Sequence, residues 1–346
     1  MTMRRPLTRS SGGFVSVLVA VVAVCVAAFS SGDAGAREKA NAAGCVGRDV
    51  YPGQDLAAIA ASMPAGTTYC IHDGRYDIVE PIKAKSGDTF WGVYSDSTRP
   101  IIRTDSAEYI IYTRGANGVT VRNLTVKGAV GGHYCKPDCG RGIGGGGRDL
   151  HIINVRATGN ANQGVGGAGP GLVIRNSRLD HNGSPPFTRV EGGAVSAAGV
   201  KSVNSFKVIN SRIDNNLWVG VWCDIECGDG GASGTAQFVV RGSTITDNGK
   251  AGIHYEISSG PAIVVNNTIQ RNGWWERANR HTGLLVVASE NLLARNNRFG
   301  GNVKYGFEAV SDHRGELKNI TFRDNFLNGD ALKGCRAPVV RCRANG

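Results

Sequence analysis

The sequence predicts an all-β solenoid, in which short strands wind in successive coils around one core. A segment of alternating apolar residues that ends in Asn recurs along the chain, and residues 172–179 and 206–213 are two clear copies. Successive turn positions lie 22 to 34 residues apart, a period that is typical of solenoids. Glycine supplies 50 of the 346 residues, roughly twice the usual ~7 %, which suits many tight turns and disfavours a helical bundle.

Two further series of residues keep register with this repeat. A second apolar segment follows each turn and leads to another Asn, and a Gly opens a third strand four residues after that Asn. The turn positions are Asn123, Asn154, Asn176, Asn210, Gly242, Asn266, Asn296 and Asp324; the second series is Asn160, Asn182, Asn216, Asn248, Asn272 and Asn302; the glycines include Gly164, Gly220, Gly252 and Gly306. Asn tolerates left-handed backbone, and stacked amides can hydrogen-bond from coil to coil.

The pattern resembles the right-handed parallel β-helix, the fold of pectate lyases and related carbohydrate-active proteins, over residues 65–330. Segments 219–227 and 251–258 are similar to a pair found in secreted bacterial β-helix repeat proteins. The resemblance implies a single-stranded right-handed parallel β-helix. The motif sets of polygalacturonases, mannuronan epimerases and pectate lyases are not found in the sequence, and the fold hosts many functions.

The two ends of the repeat carry features that suit caps for an open core. Residues 55–62 form a short helical pattern with Leu56, Ile59 and Met63 on one face. We therefore expect an N-terminal segment with a capping helix over residues 37–64, the β-helix over 65–330, and a disulfide-tied tail over 331–346.

The N-terminus has the three parts of a secretory signal. Three arginines precede an uncharged apolar run at 14–29, and Ala34-Gly35-Ala36 offers a cleavage site. We expect a signal peptide over residues 1–36 and a secreted, extracellular monomer with no membrane association after cleavage; retention as an anchor is the alternative. The remaining chain has 36 basic and 27 acidic residues, a net charge of +9. This excess favours an acidic polysaccharide or another cell-wall polymer, and nucleic acid is not expected.

The cysteines also indicate an oxidising compartment. Apart from Cys25 in the signal, eight cysteines remain and fall in near neighbours. Local pairing predicts the four bridges Cys45–Cys70, Cys135–Cys139, Cys223–Cys227 and Cys335–Cys342. A zinc site is the weaker interpretation, because His does not occur at zinc-finger spacing from the two tight pairs.

Aligning Gly220, Gly252, Gly283 and Gly306 makes the third strand readable. The first and third residues after each Gly are expected to point inward, and the second and fourth outward. Trp222 should then stack near His254, and Asp224 should lie near Glu256. Glu308 lies two coils beyond Glu256 and is expected at the periphery. We expect an exposed patch of Trp222, Asp224, His254 and Glu256.

Two longer connections should border this patch, because solenoid insertions commonly mark a binding face. Residues 183–192 lie on one side and are expected to bound the patch, and residues 273–282 lie on the other side and are expected to roof it. Trp274 and Trp275 could stack on sugar rings, while Arg189, Arg277 and Arg280 could hold carboxylates bidentately. Alternatively, the two tryptophans fold their loop back onto the β-helix. The run of glycines at 144–147 is expected to be a loop beside the Cys135–Cys139 turn.

Each acid has three interpretations. Asp224 and Glu256 could be surface acids neutralised by loop arginines, ligands of a calcium ion, or catalytic groups. Calcium is the only cofactor that these residues suggest. His254 could pack on Trp222 or act as an acid or base. The sequence therefore predicts a protein that acts on an acidic polysaccharide as a glycoside hydrolase or a polysaccharide lyase; the alternative is a non-catalytic carbohydrate-binding or adhesion protein.

Overall fold

The computed structural model describes residues 44–94, 98–131, 138–185, 196–227 and 237–345. The expected signal peptide, Cys135, Arg189 and residues 186–192 of the first long connection lie outside the described residues.

Three short strands make up a coil, and equivalent strands of successive coils pair in parallel. Two strands of each coil join a 21-stranded sheet, here called sheet A, and the third joins a ten-stranded sheet, called sheet B. The coil of residues 206–224 shows the arrangement, with β17 (Phe206–Ile209) and β18 (Arg212–Asp214) in sheet A and β19 (Val219–Asp224) in sheet B. The predicted all-β solenoid is confirmed.

The strands of sheet A are β1 (Arg48–Val50), β2 (Thr68–His72), β3 (Arg75–Asp77), β5 (Thr89–Val93), β6 (Ile101–Arg103), β8 (Thr120–Arg122), β9 (Thr125–Lys127), β11 (His151–Ile153), β12 (Arg156–Thr158), β14 (Leu172–Arg175), β15 (Arg178–Asp180), β17 (Phe206–Ile209), β18 (Arg212–Asp214), β20 (Phe238–Arg241), β21 (Thr244–Thr246), β23 (Ala262–Val265), β24 (Thr268–Gln270), β26 (Glu290–Arg295), β27 (Arg298–Gly300), β29 (Lys318–Phe326) and β31 (Val340–Asn345). The strands of sheet B are β4 (Ile82–Lys83), β7 (Tyr109–Tyr112), β10 (Arg141–Gly144), β13 (Gln163–Gly166), β16 (Ala198–Ser202), β19 (Val219–Asp224), β22 (Ala251–Glu256), β25 (Thr282–Val287), β28 (Tyr305–Val310) and β30 (Leu332–Lys333).

A single short helix, α1 (Leu56–Ser62), lies between β1 and β2 in the described residues. Asp55 caps its N-terminus by accepting a hydrogen bond from the Ala58 amide at 3.0 Å. Leu56 and Ala60 are fully buried and belong to the main core, against which Ile59 and Met63 also pack. The predicted helix is therefore present, and its apolar face covers core residues.

One asparagine ladder joins the coils. The Asn182 amide donates to the Asn216 Oδ1 at 3.0 Å, and Asn216 donates to Asn248 at 2.9 Å. The same bond continues along the second Asn series from Asn160 to Asn302, with every member buried. The turn-position asparagines differ, because they adopt left-handed backbone, as at Asn210 (φ 48°).

Glycine is required near the start of sheet B strands because the asparagine ladder passes close to the backbone there. A Cβ on Gly220 would lie 2.8 Å from the Asn248 Nδ2 and 2.6 Å from the Gly252 carbonyl oxygen. A Cβ on Gly252 would meet Asn272 in the same way. Both distances are shorter than side-chain contacts allow, so the ladder and the glycines fix one register between coils.

Three of the predicted disulfides lie in described residues and are formed: Cys45–Cys70, Cys223–Cys227 and Cys335–Cys342. Cys139 is also disulfide-bonded, but its predicted partner lies outside the described residues. The expected tail at 331–346 contributes β30, which pairs with β28, and β31, which pairs with β29, so parallel pairing extends past residue 330.

Truncating an inward-facing side chain of the core should lower the stability of the protein markedly. Ile213 is fully buried in the core. We expect Ile213→Ala to lower the free energy of unfolding by about 2–5 kcal/mol, as for buried aliphatic residues in general. Val303→Ala, at a side chain that is 57 % exposed, should change it by less than about 0.5 kcal/mol. Urea unfolding of both variants measures this, and equal effects would contradict the assigned register.

Candidate functional site

The outer face of sheet B carries the residues that the glycine alignment singled out. Trp222 is in register with His254, and Asp224 with Glu256, on neighbouring strands β19 and β22. The residues between them point inward, since Val221, Cys223, Ile253 and Tyr255 belong to the main core. The expected inward and outward positions are therefore confirmed.

These outward residues are covered, which differs from the expected exposed patch. Trp222 is 4 % exposed, His254 1 %, Asp224 8 % and Glu256 7 %. Ala278 and Trp275, from the connection before β25, pack with Trp218 and Trp222 in a second apolar cluster on this face. The 273–282 connection lies over Trp222, as expected, but the four side chains are buried rather than exposed.

Aromatic and cationic groups stack across the coils. The Lys201 Nζ lies 3.8 Å from the centre of the Trp222 ring, within range of a cation–π contact. On its other side, Trp222 stacks on His254 with 5.3 Å between ring centres. Leu285 follows His254 in register on the next strand. His254 therefore occupies the packing position on Trp222 that was one of its two interpretations.

Each of the two acids has its own cation. The Asp224 carboxylate lies 2.9 Å from the Lys201 Nζ, and the Glu256 carboxylate lies 2.6 Å from the Arg314 guanidinium. Trp222 Nε1 also donates a hydrogen bond to Glu256 at 3.1 Å. Of the three interpretations, neutralisation by a basic residue is the one these contacts match, although Lys201 comes from a strand rather than a loop.

His254 is a buried titratable group next to this pair. Burial, followed by the nearby charges of Lys250 and Lys201, holds its pKa well below 6.5, so the imidazole is neutral at neutral pH. Its Nδ1 lies 3.5 Å from the Glu256 carboxylate. Neither ring nitrogen has a hydrogen-bond partner among the residues that the structure describes.

Glu308 and Arg280 differ from their predicted roles. Glu308 was expected at the periphery, but it is 1 % exposed and continues the row of Trp222, His254 and Leu285. Arg280 lies 2.5 Å from the Glu308 carboxylate, which also accepts from Lys333 at 3.0 Å. Arg280, proposed from sequence to hold a substrate carboxylate, thus holds one of the protein's own.

The two tryptophans of the same connection are separated by the structure. Trp275 is half-buried and meets the Trp218 ring edge-on, with 5.5 Å between ring centres. Trp274 is 47 % exposed, and its ring nitrogen donates to the Asp247 carbonyl oxygen at 2.7 Å. Arg277 is exposed. Only Trp275 is brought to the Trp222 cluster, and it takes the loop-anchoring role.

Calcium at Asp224 and Glu256 is still a prediction. Among the described residues, no three side chains from His, Cys, Asp and Glu are grouped so as to hold a metal ion. A calcium ion at these two carboxylates would have to compete with Lys201 and Arg314 for their oxygens.

A cleft on the same face lies next to this cluster, and the sequence reasoning missed it. Its volume is about 710 Å³, within the usual range of ligand sites. Two tyrosines and three basic residues are among its lining side chains: Tyr109, Tyr112, Arg114, Arg141 and Lys201. Glu108 and Asp138 line it as well, and Asp138 lies 3.2 Å from the Arg141 guanidinium. Lys201 connects the cleft to the buried cluster, because it also contacts Trp222 and Asp224.

Glycines make room for these side chains. Gly145 adopts a φ of 106°, and a Cβ there would lie 2.4 Å from the Tyr112 ring. A Cβ on Gly167 would lie 2.3 Å from the Arg141 guanidinium. The glycine run at 144–147 was expected to be only a loop; instead, Gly144 ends β10 and Gly145 lines the cleft. This glycine run, on the strand next to Tyr109 and Tyr112, was the sequence feature that could have indicated the cleft.

The cleft also holds hydrogen-bonding groups. Burial raises the pKa of Tyr109, so its phenol stays protonated at neutral pH and can donate. Gln163 is 1 % exposed and donates from Nε2 to the Ser196 carbonyl oxygen at 2.7 Å. Its Oε1 accepts from no residue in the described part of the chain. Donors and an acceptor of this kind suit a polar ligand with hydroxyl groups.

Sequence comparison identifies the family. The family described as "Right handed beta helix region" matches residues 109–277 and 196–344, about two thirds of the chain. The chain therefore belongs to the right-handed β-helix family. No curated protein matches it in sequence.

Several solved structures share the fold. PfbA, a surface adhesin of Streptococcus pneumoniae, is 12 % identical over 82 % of this chain and 76 % of its own, with a TM-score of 0.56. The A-module of the mannuronan C-5 epimerase AlgE4 of Azotobacter vinelandii is 14 % identical over 87 % of this chain and 97 % of its own, with a TM-score of 0.49. At 12 % identity, the similarity to PfbA shows the fold alone.

The neutral, buried His254 makes stability depend on pH. Its folded-state pKa is lowered, so below about pH 6.5 the unfolded chain binds the extra proton and stability falls as the pH falls. We expect His254→Phe, which keeps a ring on Trp222, to remove up to about 1.4 kcal/mol per pH unit of this dependence.

Melting temperatures between pH 7 and pH 5 measure the effect. His151→Gln, at an exposed histidine, should leave the pH dependence unchanged. An unchanged slope in His254→Phe would mean that His254 is protonated in the folded protein.

Proposed function

We propose that this protein binds an acidic polysaccharide in the cleft on the outer face of sheet B. The observation that carries the proposal is the lining of the cleft, in which two tyrosines and three basic side chains stand around glycines and outnumber the two acids, Glu108 and Asp138. Tyrosine rings present apolar faces on which sugar rings can pack. Arginine guanidinium groups match carboxylates bidentately, which favours a uronic-acid polymer over a neutral one.

Catalysis near Asp224, Glu256 and His254 is the second candidate function. A hydrolase would keep one acid protonated and use the other as base or nucleophile; a lyase would neutralise a uronate, with calcium for example, and use His254 or an arginine as base. One observation favours it, because a buried imidazole with a strongly lowered pKa beside a carboxylate is typical of functional sites. The burial and ion pairing of both acids favour the binding proposal.

The proposed location is extracellular. Three disulfides within the described residues suit an oxidising compartment. No helix in the described part of the chain has the length and hydropathy to span a membrane. Secretion through the signal at residues 1–36 and a monomeric state belong to the same proposal.

The cleft proposal predicts a loss of binding on removal of one ring. We expect Tyr112→Ala to weaken binding of polygalacturonate at least about tenfold, because a sugar-packing face is lost. Tyr51→Ala removes a half-exposed ring outside the cleft and should leave the affinity unchanged. Calorimetric titration measures both, and equal affinities of wild type and Tyr112→Ala would overturn the cleft proposal.

Variants of Asp224 and Glu256 can distinguish the binding function from the catalytic one. Because each is ion-paired, we expect Asp224→Asn and Glu256→Gln each to lower the free energy of unfolding by about 1–3 kcal/mol and to leave polygalacturonate binding intact. The two variants should be compared with wild type for product formation, with and without calcium. Unsaturated products from wild type, lost in both variants, would establish a lyase; new reducing ends alone, lost in both variants, would establish a hydrolase.

A further inference from the structure

A second surface of the molecule carries ordered positive charge, on the outer face of sheet A. One outward position on each of nine successive strands is in register with the next, and these positions form a row, here called the arginine row. It consists of Arg122, Ile153, Arg175, Ile209, Arg241, Val265, Arg295, Arg323 and Arg343. At ~4.8 Å per coil the row is about 40 Å long.

The neighbouring outward row adds to the charge and supplies an apolar strip. It contains His151, Val173, Lys207, Val239, Ile263, Leu293, Thr321 and Arg341. The two rows together hold eight Lys and Arg residues and no Asp or Glu. The chain as a whole has a net charge of +11, so a large part of its excess lies on this face.

Two buried acids of sheet A pair with arginines outside the arginine row. Across the turn, Asp180 pairs with Arg156 at 2.7 Å, and Asp214 pairs with Arg178 at 2.7 Å. By contrast, Arg175, Arg241 and Arg295 are exposed and form no ion pair with any residue in the described ranges. The same sheet therefore neutralises Arg156 and Arg178 and leaves these three arginines without counter-charges among the described residues.

Like charges directly opposite one another on neighbouring strands destabilise a sheet. Arg295, Arg323 and Arg343 stand on three consecutive strands, and of these Arg323 has Asp324 at 3.8 Å. Ile209 and Val265 point outward between arginines but are only 6 % and 9 % exposed, so neighbouring side chains lie over them. A row in register whose guanidinium groups at Arg175, Arg241 and Arg295 have no ion pair in the described residues suits a ligand that brings its own negative charges at regular intervals.

We propose that the arginine row is a binding site for a linear anionic polysaccharide that lies parallel to the β-helix axis. Guanidinium groups would pair with its carboxylate or sulfate groups. The exposed turn residues Asn176, Asn210 and Asn296, each directly beyond the row, would bond to its hydroxyls. The site is on another sheet from the cleft and does not depend on the cleft's function.

A polysaccharide fits this face better than other polyanions. Single-stranded nucleic acid requires aromatic platforms for its bases, and the only aromatic side chains at the described positions in register with the two rows are Trp91 and His151, at one end. An anionic membrane would take protruding apolar side chains, whereas Val239, Ile263 and Leu293 are half-buried on the flat sheet.

The test is a triple variant, Arg175→Gln, Arg241→Gln and Arg295→Gln, in the Tyr112→Ala background that removes the cleft site. We expect polygalacturonate binding to weaken at least about tenfold and the slope of log affinity against log salt to fall by up to about one per arginine. The matched control, Arg48→Gln, Arg148→Gln and Lys304→Gln, removes three exposed charges outside both rows and should do neither. Equal loss in both triple variants would overturn the row as a site, because net charge alone would then explain binding.

Ligand length and class complete the test. Oligogalacturonates should bind more tightly as they lengthen from one arginine pair toward the whole row, with neutral dextran not bound. Unfolding measurements should show the triple variant at least as stable as the control. Row-dependent binding of duplex DNA or of anionic phosphatidylserine vesicles that equals that of polygalacturonate would overturn the assignment of a polysaccharide, as would affinity that is independent of oligomer length.

Discussion

The asparagine ladder is the interaction on which the rest of the structure depends. Each buried amide bonds to the next coil, and the glycine opposite it leaves no room for a side chain. A slip of one residue between coils would break both and turn every outward side chain inward. The rows on both sheets, including the Trp222–His254 stack and the arginine row, exist because this register repeats without error.

The outer face of sheet B combines two environments that differ in how their charges are satisfied. Around Asp224 and Glu256, every carboxylate is held by a lysine or arginine of the protein and lies under later loops. In the cleft beside it, Arg114 is exposed, whereas Arg141 pairs with Asp138 at 3.2 Å and Lys201 pairs with Asp224. Lys201 belongs to both environments, so a ligand that drew it away from Asp224 would disturb the buried cluster.

Local pattern was sufficient to predict the fold and the direction of the side chains. The spacing from Asn216 to Gly220 repeats at Asn248 and Gly252, and strict alternation then separates Val221 from Trp222. The covering of Trp222 by Ala278, and the capture of Glu256 by Arg314, depend on where irregular connections fold back. Those positions are set by tertiary packing rather than by a period, and for this reason the exposed patch was wrong and the cleft was missed.

The ladder has a direction as well as a register. It begins where the Ala129 amide donates to Asn160 and ends where Asn302 donates to Asp330. Every amide between them receives from one side and gives to the other, whereas an ionised carboxylate can only receive. A coil inserted before Asp330 with its own Asn and Gly could accept a hydrogen bond from one neighbour and donate one to the other. A coil added beyond Asp330 would receive no hydrogen bond from it, so the ladder would not continue. Evolution could therefore lengthen or shorten this protein by whole coils in its middle, while Asp330 alone defines the C-terminal end of the ladder.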